Sequence, residues 1–426
     1  MDFKIEKKLK KGLGRAGILK TPHGVIYTPA FVPVGTKASV KALTPEQVTD
    51  LGAEVVLANT YHLYLQPGDK LIAKAGGLHK FMNWRGPIII DSGGFQAFSL
   101  GVAYDYGISK FIASDSPSPE VVAEAYDALR KNKKAHITED GVKFQSIIDG
   151  SEHFLSPEKS IQIQNNLAAD IIFAFDECTS PHAPYEYIKK AMERTHRWAE
   201  RSLEEHKRLN LTSNPLLKGE EEVSPFSFQE KAGDEIAPAL FGIVQGGRYK
   251  DLREESAKII GKMDFDGFGI GGSFVKEDMS QAVRWVNEIL PEEKPRHLLG
   301  VGEPEDLFLA VENGCDLFDC VAPTRLARNG ALYTKNGKIN IMNAKYREDF
   351  SPIEEDCGCY VCGNEAVYSR AYLAHLFRAK EMLGATLASI HNLYFIVNLV
   401  KKMRQSILDD NFFEFKDKFL KKYKKL

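Results

Sequence analysis

Short apolar runs that barely alternate with polar residues recur along the chain, and each ends in glycine or a polar residue. The runs lie within residues 54–59, 87–94, 170–177, 239–247, 267–272, 297–302 and 317–320. Parallel strands that are buried on both faces have continuous apolar sequences of this kind. Helical patterns at 157–168, 185–207 and 279–290 separate several of the runs. The alternation predicts an α/β fold, a (β/α)8 TIM barrel, with a doubly wound sheet as the alternative.

Polar side chains stand where four of these runs end. Asp91, Asp176, Gln245 and Asp319 each follow or finish an apolar run. The carboxyl ends of the strands of a (β/α)8 barrel meet on one face, where active sites are built. These four residues are therefore expected to share one pocket. Capping of the next helix is the alternative role for a carboxylate after a strand.

The chain changes character near residue 330. We expect residues 1–330 to form the catalytic barrel, with insertions near 114–140 and 209–236 that lack the strand–helix pattern. Residues 331–341 read as a hairpin around Asn336-Gly337, a type I′ turn signal. Helical patterns follow at 369–383 and 393–408. Residues 331–426 are thus predicted to form a zinc-binding subdomain with C-terminal helices packed on the barrel.

Three cysteines in six residues predict a metal site. Cys357, Cys359 and Cys362 offer thiolates at C-x-C-x2-C spacing, and thiolate and imidazole are the ligands that zinc prefers. His391 and His375 are both candidates for the fourth ligand. Four protein ligands would close the site, which favours structural zinc over a zinc hydrolase, because catalytic zinc keeps a position open for water.

Composition limits the partners and the compartment. The 426 residues carry a formal net charge of −2, so RNA contact requires a local basic patch. Arg325 and Arg328 supply one candidate, and the lysines at 421–425 supply another. We find no apolar run long enough for a membrane span and no apolar segment at the start typical of a signal peptide. With metal-binding thiols kept reduced, a cytoplasmic location is expected.

The motifs together resemble those of the tRNA-guanine transglycosylases, in order and in spacing. The matching segments are Asn59-Thr60-Tyr61-His62-Leu63, Asp91-Ser92-Gly93-Gly94-Phe95-Gln96, Phe175-Asp176-Glu177-Cys178, Gln245-Gly246, Gly271-Gly272, Gly300-Val301-Gly302, Phe318-Asp319-Cys320, Pro323-Thr324-Arg325 and Arg328-Asn329-Gly330. The resemblance runs from about Lys10 to about Val400, apart from the two insertions. It implies a (β/α)8 barrel with a zinc subdomain and exchange of the wobble guanine of tRNA for a 7-deazaguanine.

The resemblance also implies roles for individual residues. Asp319 matches the nucleophile that attacks the ribose and forms a covalent RNA intermediate, and Asp91 matches the general acid/base. Asp176 matches the carboxylate that reads the pyrimidine edge of the base. Gln245 and the amide of Gly272 match the groups that hold its carbonyl.

Further matched positions concern the base, the RNA and the metal. Phe95 and Leu299 match the residues that sandwich the base, and Arg325 and Arg328 match anticodon-loop contacts. Among the histidines, the resemblance favours His391 as the fourth ligand of one structural zinc ion, and it implies a homodimer.

One segment departs from the family pattern. Ser273-Phe274 follows Gly271-Gly272, where the family commonly has leucine. This segment matches the one that faces the substituent of the deazaguanine, so the choice of base stays open. Cys178 beside Glu177 favours 7-aminomethyl-7-deazaguanine, with queuine as the alternative. A non-catalytic, tRNA-binding paralogue is the other alternative, and retention of both Asp319 and Asp91 argues against it.

Overall fold

A computed structural model describes residues 1–97, 135–181, 183–213, 237–272, 278–363 and 367–423. The strands are β1 (Asp2–Lys8), β2 (Arg15–Thr21), β3 (Gly24–Thr28), β4 (Ala30–Pro33), β5 (Val56–Ala58), β6 (Ile88–Ile90), β7 (Ala135–Ile137), β8 (Val142–Gln145), β9 (Glu152–Leu155), β10 (Ile171–Phe173), β11 (Ala239–Val244), β12 (Gly267–Ile270), β13 (Arg296–Leu298), β14 (Leu317–Cys320), β15 (Ala331–Thr334) and β16 (Gly337–Asn340).

Helices follow most of the barrel strands and form the C-terminal part. They are α1 (Pro45–Asp50), α2 (Thr60–Leu65), α3 (Asp69–Lys74), α4 (Gly77–Met82), α5 (Pro157–Leu167), α6 (Tyr185–Ser213), α7 (Lys250–Lys262), α8 (Met279–Asn287), α9 (Pro304–Glu312), α10 (Ala322–Arg328), α11 (Arg370–Ala379), α12 (Met382–Leu408) and α13 (Phe412–Tyr423). Local chemistry sets their ends: the Ser156 hydroxyl caps α5 and Pro157 begins it, while Ala168 leaves it in a left-handed conformation with φ 54°.

Eight parallel strands close into a barrel. Their order around the sheet is β4, β14, β13, β12, β11, β10, β6 and β5. A parallel bridge between Val34 and Leu57 joins the two ends, and the Gly35 amide donates to the Leu57 carbonyl oxygen at 2.6 Å. The predicted (β/α)8 barrel is confirmed, and closure excludes the doubly wound sheet. The apolar runs did not reveal β4, because Pro29 and Pro33 interrupt its sequence.

The N-terminal strands β1 to β3 form a plug that closes one end of the barrel. Strands β1, β2 and β3 form an antiparallel sheet that the sequence pattern did not predict. Leu19 and Ile26 from this sheet are fully buried in one cluster with inward-facing barrel residues such as Ile89 and Phe173. The opposite end of the barrel, where the strands finish, is therefore the end that remains for a site.

Ion pairs hold the plug on the amino ends of the strands. Asp316 precedes β14, and it accepts hydrogen bonds from the Arg15 guanidinium, Nε to Oδ1 at 3.0 Å and Nη2 to Oδ2 at 2.7 Å. Both side chains are at most 1% exposed. Asp170, which precedes β10, accepts the backbone amides of His23 at 3.1 Å and Ile88 at 2.8 Å. Carboxylates at this end are thus structural.

The two predicted insertions are covered only in part. Residues 98–134 lie outside the described residues, including most of the segment 114–140. Its last part forms β7, which pairs with β8, and β8 pairs in turn with β9 in a small antiparallel sheet. Residues 214–236 also lie outside the described residues. Residues 209–213, which the sequence placed in this insertion, form the last turn of α6.

The C-terminal part differs from the sequence expectations in two details. The hairpin β15–β16 forms, but Thr334 pairs with Gly337, so Lys335 and Asn336 are the turn residues and the positive φ of 115° is at Gly337. That geometry is not the type I′ turn expected. The helix predicted over 369–383 ends earlier, because Lys380 adopts a left-handed conformation with φ 59° and α12 starts afresh.

Helix α12 joins the C-terminal part to the barrel. Asn392 on this helix donates to the carbonyl oxygens of Pro323 at 3.1 Å and Ala331 at 2.9 Å, and its own carbonyl accepts the Tyr333 amide at 3.0 Å. In the part of the chain that is described, α12 is the one helix long and apolar enough to cross a membrane, and 67% of its apolar window is buried within the fold. Such burial is typical of a core helix.

We predict that Arg15→Met destabilises the barrel by about 3–5 kcal/mol, because it leaves the buried carboxylate of Asp316 without a counter-ion. Chemical denaturation measures the change. The double variant Arg15→Met/Asp316→Leu should recover much of the loss, since it removes both buried charges together. A single variant as stable as the wild type would show that the ion pair does not hold the plug.

Candidate active site and metal centre

The carboxyl ends of the barrel strands gather the four polar residues expected there. Asp91 follows β6, Asp176 and Gln245 follow β10 and β11, and Asp319 is the third residue of β14. The Gln245 amide Nε2 donates to Asp176 Oδ2 at 2.7 Å. Burial is the largest cause that raises the pKa of Asp91, and the negative charge of Asp319 adds to it. The four residues therefore stand at the same end of the barrel, where the strands finish.

Three hydrogen-bond donors hold the Asp91 carboxyl. Its Oδ2 accepts from Asn59 Nδ2 at 2.5 Å and from Gln96 Nε2 at 3.0 Å, and its Oδ1 accepts the Thr60 amide at 3.0 Å. Burial, and to a smaller extent the charge of Asp319, raise its pKa to about 7 despite these donors. A carboxyl with this pKa can give and take a proton near neutral pH.

Asp319 has a different environment. Its Oδ1 accepts the Gly300 amide at 3.0 Å, and the Nε2 atom of His297 lies 3.0 Å from the same oxygen. The carboxyl side chain is 14% exposed, whereas His297 is fully buried. Two donors on one carboxylate oxygen favour the ionised form. The donors come from β13 and the loop after it, so Asp319 is oriented by the neighbouring strand.

Asp176 lies deeper than the other carboxyls and belongs to a polar subsite. The Ser92 hydroxyl donates to its Oδ1 at 2.8 Å, and Gln245 contacts Oδ2. Gln245 Oε1 is buried without a hydrogen-bond partner among the described residues. A side-chain methyl on Gly94 would lie 2.4 Å from the Asp176 carbonyl oxygen, so the glycine turn permits the close approach. This subsite offers acceptors and an amide to a planar heterocycle.

A buried arginine joins two glycine loops beside this subsite. Arg253 Nε donates to the Gly247 carbonyl oxygen at 2.7 Å, and Nη1 donates to the Gly271 carbonyl oxygen at 2.8 Å. Burial lowers the pKa of its guanidinium to about 9, which still leaves it charged at neutral pH. Gly272 has φ 96°, and a methyl there would lie 2.5 Å from Arg253 Nη2. The loop ending at Gly272 is therefore tied to the loop after Gln245.

The remaining predicted site residues lie around the same end of the barrel. Phe95 and Leu299 are partly buried, and Leu299 packs against the barrel core. Arg325 and Arg328 belong to α10, which begins three residues after Asp319. Arg325 is exposed and Arg328 is partly buried. Ser273 and Phe274 lie outside the described residues.

The cysteine cluster forms a closed group with one histidine. Cys357, Cys359, Cys362 and His391 are all buried, and the ligand atoms of these side chains lie within 4.8 Å of one another. His391 Nδ1 lies 3.8, 3.5 and 3.5 Å from the three sulfur atoms. His375 is exposed on α11, so it is not the fourth ligand.

The donor atoms fit a tetrahedral ion. A sulfur and a nitrogen at about 2.3 and 2.0 Å from zinc are about 3.5 Å apart at the tetrahedral angle. The Nε2 atom of His391 lies 2.7 Å from the Tyr333 carbonyl oxygen, so its proton is donated there and Nδ1 keeps its lone pair for a metal. These four residues could hold a metal ion that ties β15 and α12 to the cysteine loop.

A second group, His23, His79 and Asp170, has ligand atoms equally close together. Its imidazoles are stacked, with ring centroids 3.6 Å apart and planes 18° apart. In stacked, nearly parallel rings the nitrogen lone pairs run side by side, so they do not converge on one metal ion. Both carboxylate oxygens of Asp170 also accept backbone amides. Hydrogen bonds to Asp170 therefore account for this group without a metal.

Sequence reasoning gave no role to several residues that complete the site. They are Asn59, Ser92, Arg253 and His297. Asn59 and Ser92 were visible as polar residues at strand ends, His297 as a polar residue that begins an apolar run, and Arg253 only as one of several charges in a helical segment. What the sequence could not show is which group each one contacts, because the partners are up to 84 positions away.

Paired carboxyls of different proton affinity at the mouth of a (β/α)8 barrel are typical of enzymes that act on glycosidic bonds. A family model described as queuine tRNA-ribosyltransferase matches residues 10–425. The chain belongs to this family, the tRNA-guanine transglycosylases, as its motifs predicted.

Bacterial relatives are similar over nearly the full length. A queuine tRNA-ribosyltransferase of Caldanaerobacter subterraneus subsp. tengcongensis is 49% identical over 424 residues, which cover 99% of this chain and 97% of the relative. One of Streptococcus uberis is 46% identical over 424 residues, covering 99% of this chain and 96% of the relative.

We predict that each purified chain contains one tightly held metal ion, and that Cys359→Ala releases it and lowers the thermal stability, because ligand loss removes folding free energy. Metal analysis and thermal unfolding measure the two effects. Cys315→Ala is the matched control, since Cys315 is equally buried but lies outside the cluster. Retention of the metal in Cys359→Ala would contradict the assigned ligand set.

Proposed function

We propose that this protein exchanges the guanine at the wobble position of a tRNA anticodon for a 7-deazaguanine, through a covalent Asp–RNA intermediate. The observation that carries the proposal is the pair Asp91 and Asp319 at one barrel mouth, with the pKa of one raised to about 7 and the other held by two donors. Membership of the transglycosylase family supports it.

The first step breaks the glycosidic bond to guanine. A carboxylate oxygen of Asp319 attacks the anomeric carbon of the ribose, and an ester forms as the bond to guanine N9 breaks. Asp91 donates its proton to the departing base, so that neutral guanine leaves. Because the pKa of Asp91 is near 7, a substantial fraction is protonated at neutral pH.

The second step repeats the displacement in the opposite direction. The deazaguanine enters the vacated pocket and loses its N9 proton to the Asp91 carboxylate. The nitrogen attacks the anomeric carbon, and Asp319 leaves as the free carboxylate. Two displacements at one carbon retain the configuration, as in retaining glycosidases. Protons and charges balance over the cycle without an added oxidant or reductant.

The polar subsite is proposed to read the base. Asp176 would accept the N–H groups on the pyrimidine edge, while Gln245 and the Gly272 amide would donate to the carbonyl. Phe95 and Leu299 would contact the two flat faces. Both donors and acceptors are present in the Asp176–Gln245 pair, which matches a heterocycle that presents both.

The tRNA would be bound through its anticodon loop. Arg325 and Arg328 are three positions apart on α10 and therefore lie on neighbouring turns of one face. They would contact phosphates beside a nucleotide that is flipped out of its stack. Of the other candidate, the C-terminal lysines, Lys421 and Lys422 are exposed in the last turn of α13, and Lys424 and Lys425 lie outside the described residues.

Zinc is the metal that we propose for the Cys357, Cys359, Cys362 and His391 cluster. Three thiolates and one imidazole close all four tetrahedral positions, which suits a structural ion rather than a catalytic one. Its chemistry would be to crosslink the C-terminal subdomain, and no step of base exchange involves it. We propose residues 331–426 as this subdomain.

A homodimer is proposed on the basis of an aromatic surface on the C-terminal part. Tyr360, Tyr368, Tyr372 and His375 form a chain of neighbouring rings, with Tyr360 53% and Tyr372 40% exposed. Val367 beside them is 62% exposed. Contiguous exposed apolar area of this kind marks interaction surfaces. The proposed location is the cytoplasm, where tRNA is available and thiols stay reduced.

For the incoming base, we propose 7-aminomethyl-7-deazaguanine, on the residue Cys178 beside Glu177 and on the bacterial relatives. Queuine is the second candidate, because Ser273-Phe274 could change the room for a larger substituent. Incubating the protein with radiolabelled guanine and unmodified tRNA tests the reaction class. Label that fails to enter tRNA would contradict the proposed function.

We predict that Asp319→Asn abolishes the covalent RNA adduct and lowers guanine exchange by roughly 10⁴-fold or more, because an amide is a poor nucleophile. Gel analysis of enzyme trapped during turnover measures the adduct. Asp264→Asn is the matched control, since the side chain of Asp264 is 81% exposed and is assigned no part in the reaction. An adduct that persists in Asp319→Asn would remove Asp319 from the reaction.

We predict that Ser273→Leu changes the order in which the two deazaguanines compete with labelled guanine. The substituent at position 7 faces this segment in the proposed pose, and guanine itself lacks that substituent. Guanine exchange therefore serves as the internal control and should change little. An unchanged competition order would mean that this segment does not select the base.

A further inference from the structure

His297 is a fully buried imidazole in the middle of a barrel strand. It is the second residue of β13, so its side chain points to the opposite face from those of Arg296 and Leu298. Its ring makes an edge contact with Phe173, an interior residue of the barrel, at a centroid distance of 5.5 Å. His297 therefore points into the barrel, toward its mouth.

The polar contact of this imidazole is with the proposed nucleophile. Its Nε2 atom lies 3.0 Å from Asp319 Oδ1, which also accepts the Gly300 amide at 3.0 Å. The Nδ1 atom is buried and has no hydrogen-bond partner among the described residues. Burying an imidazole in an apolar barrel interior costs free energy, and here a single polar contact offsets that cost, which suggests that the contact has a role.

The geometry selects one protonation state. A carboxylate oxygen can only accept, so Nε2 must carry a proton in order to bond to Asp319. An imidazolium would place a second N–H, at Nδ1, in a buried position where nothing among the described residues accepts it. The neutral tautomer with its proton on Nε2 satisfies both conditions. His297 is thus a fixed donor and not a proton acceptor.

We propose that His297 is a positioning residue, which fixes the Asp319 carboxylate through Oδ1 and keeps it ionised for attack on the ribose. The proposal rests on the function proposed above. With Oδ1 held by His297 and Gly300, the rotation of the carboxyl group is restricted, which orients the second oxygen. Asp91, whose pKa is raised by burial and further by the charge of Asp319, keeps the proton that the leaving base needs.

Four proteins test this role: the wild type, His297→Phe, His297→Gln and His297→Asn. Phenylalanine keeps a ring against Phe173 but removes the donor. Glutamine carries its amide N–H₂ near the position of Nε2, whereas asparagine is too short to place it there. His206→Phe controls for loss of a buried histidine elsewhere, since His206 contacts Asn210 on α6. The readout is the single-turnover rate of RNA-adduct formation with saturating tRNA, measured across pH.

We expect His297→Phe and His297→Asn to slow adduct formation by about 10- to 100-fold, with the affinity for tRNA unchanged. Loss of the donor should raise the pKa of Asp319, so the acidic limb of the pH profile should move up by about one to two pH units. The basic limb, which reports Asp91, should stay in place. His297→Gln should restore both the rate and the acidic limb.

Two results would overturn the role: an acidic limb that stays fixed in His297→Phe and His297→Asn, or a glutamine variant as slow as the asparagine variant. If the phenylalanine variant fails to fold, the comparison of glutamine with asparagine still tests the role. Either result, together with a normal adduct in the wild type, rejects the positioning role of His297 but not the proposed function. Absence of an adduct in the wild type rejects the proposed function and this role with it.

Discussion

Closure of the eight-stranded parallel barrel is the constraint on which the site depends. The bridge between Val34 and Leu57 joins the first strand to the second, so all eight carboxyl ends surround one mouth. Asp91, Asp176, Gln245 and Asp319 then stand at the same end of the barrel, although they are far apart in sequence. The N-terminal sheet fills the other end with Leu19 and Ile26 and leaves only one end for chemistry.

At that end of the barrel, the carboxyls of Asp91 and Asp319 have different environments and different hydrogen-bond partners. Burial outweighs three donors at Asp91 and raises its pKa to about 7, while the Oδ1 atom of Asp319 is held by His297 and Gly300. Each charge also opposes the other, which favours a state with one proton on the pair. One carboxyl can then act as an acid while the other acts as a nucleophile.

The sequence predicted the features that depend on local pattern. Seven of the eight barrel strands, Asp91, Asp176, Gln245 and Asp319 at their ends, and the three clustered cysteines all followed from runs and spacing, while the choice of His391 over His375 came from the family resemblance. It did not predict β4, because prolines at the start and end of this strand weaken the strand pattern. It did not predict the N-terminal plug either, because the ion pair between Arg15 and Asp316 joins residues 301 positions apart. His297 has its role through a contact between neighbouring strands, which no local pattern encodes.

The most direct test of the account is the proton affinity of Asp91 in the folded enzyme. Isotope-edited carboxyl NMR can follow its titration, with Asp91→Asn to assign the signal. The account predicts one carboxyl that titrates near pH 7, is lost in Asp91→Asn, and titrates at lower pH in Asp319→Asn because the opposing charge is gone. An Asp91 that titrates near the ordinary value of about 4, or that ignores Asp319→Asn, would contradict it.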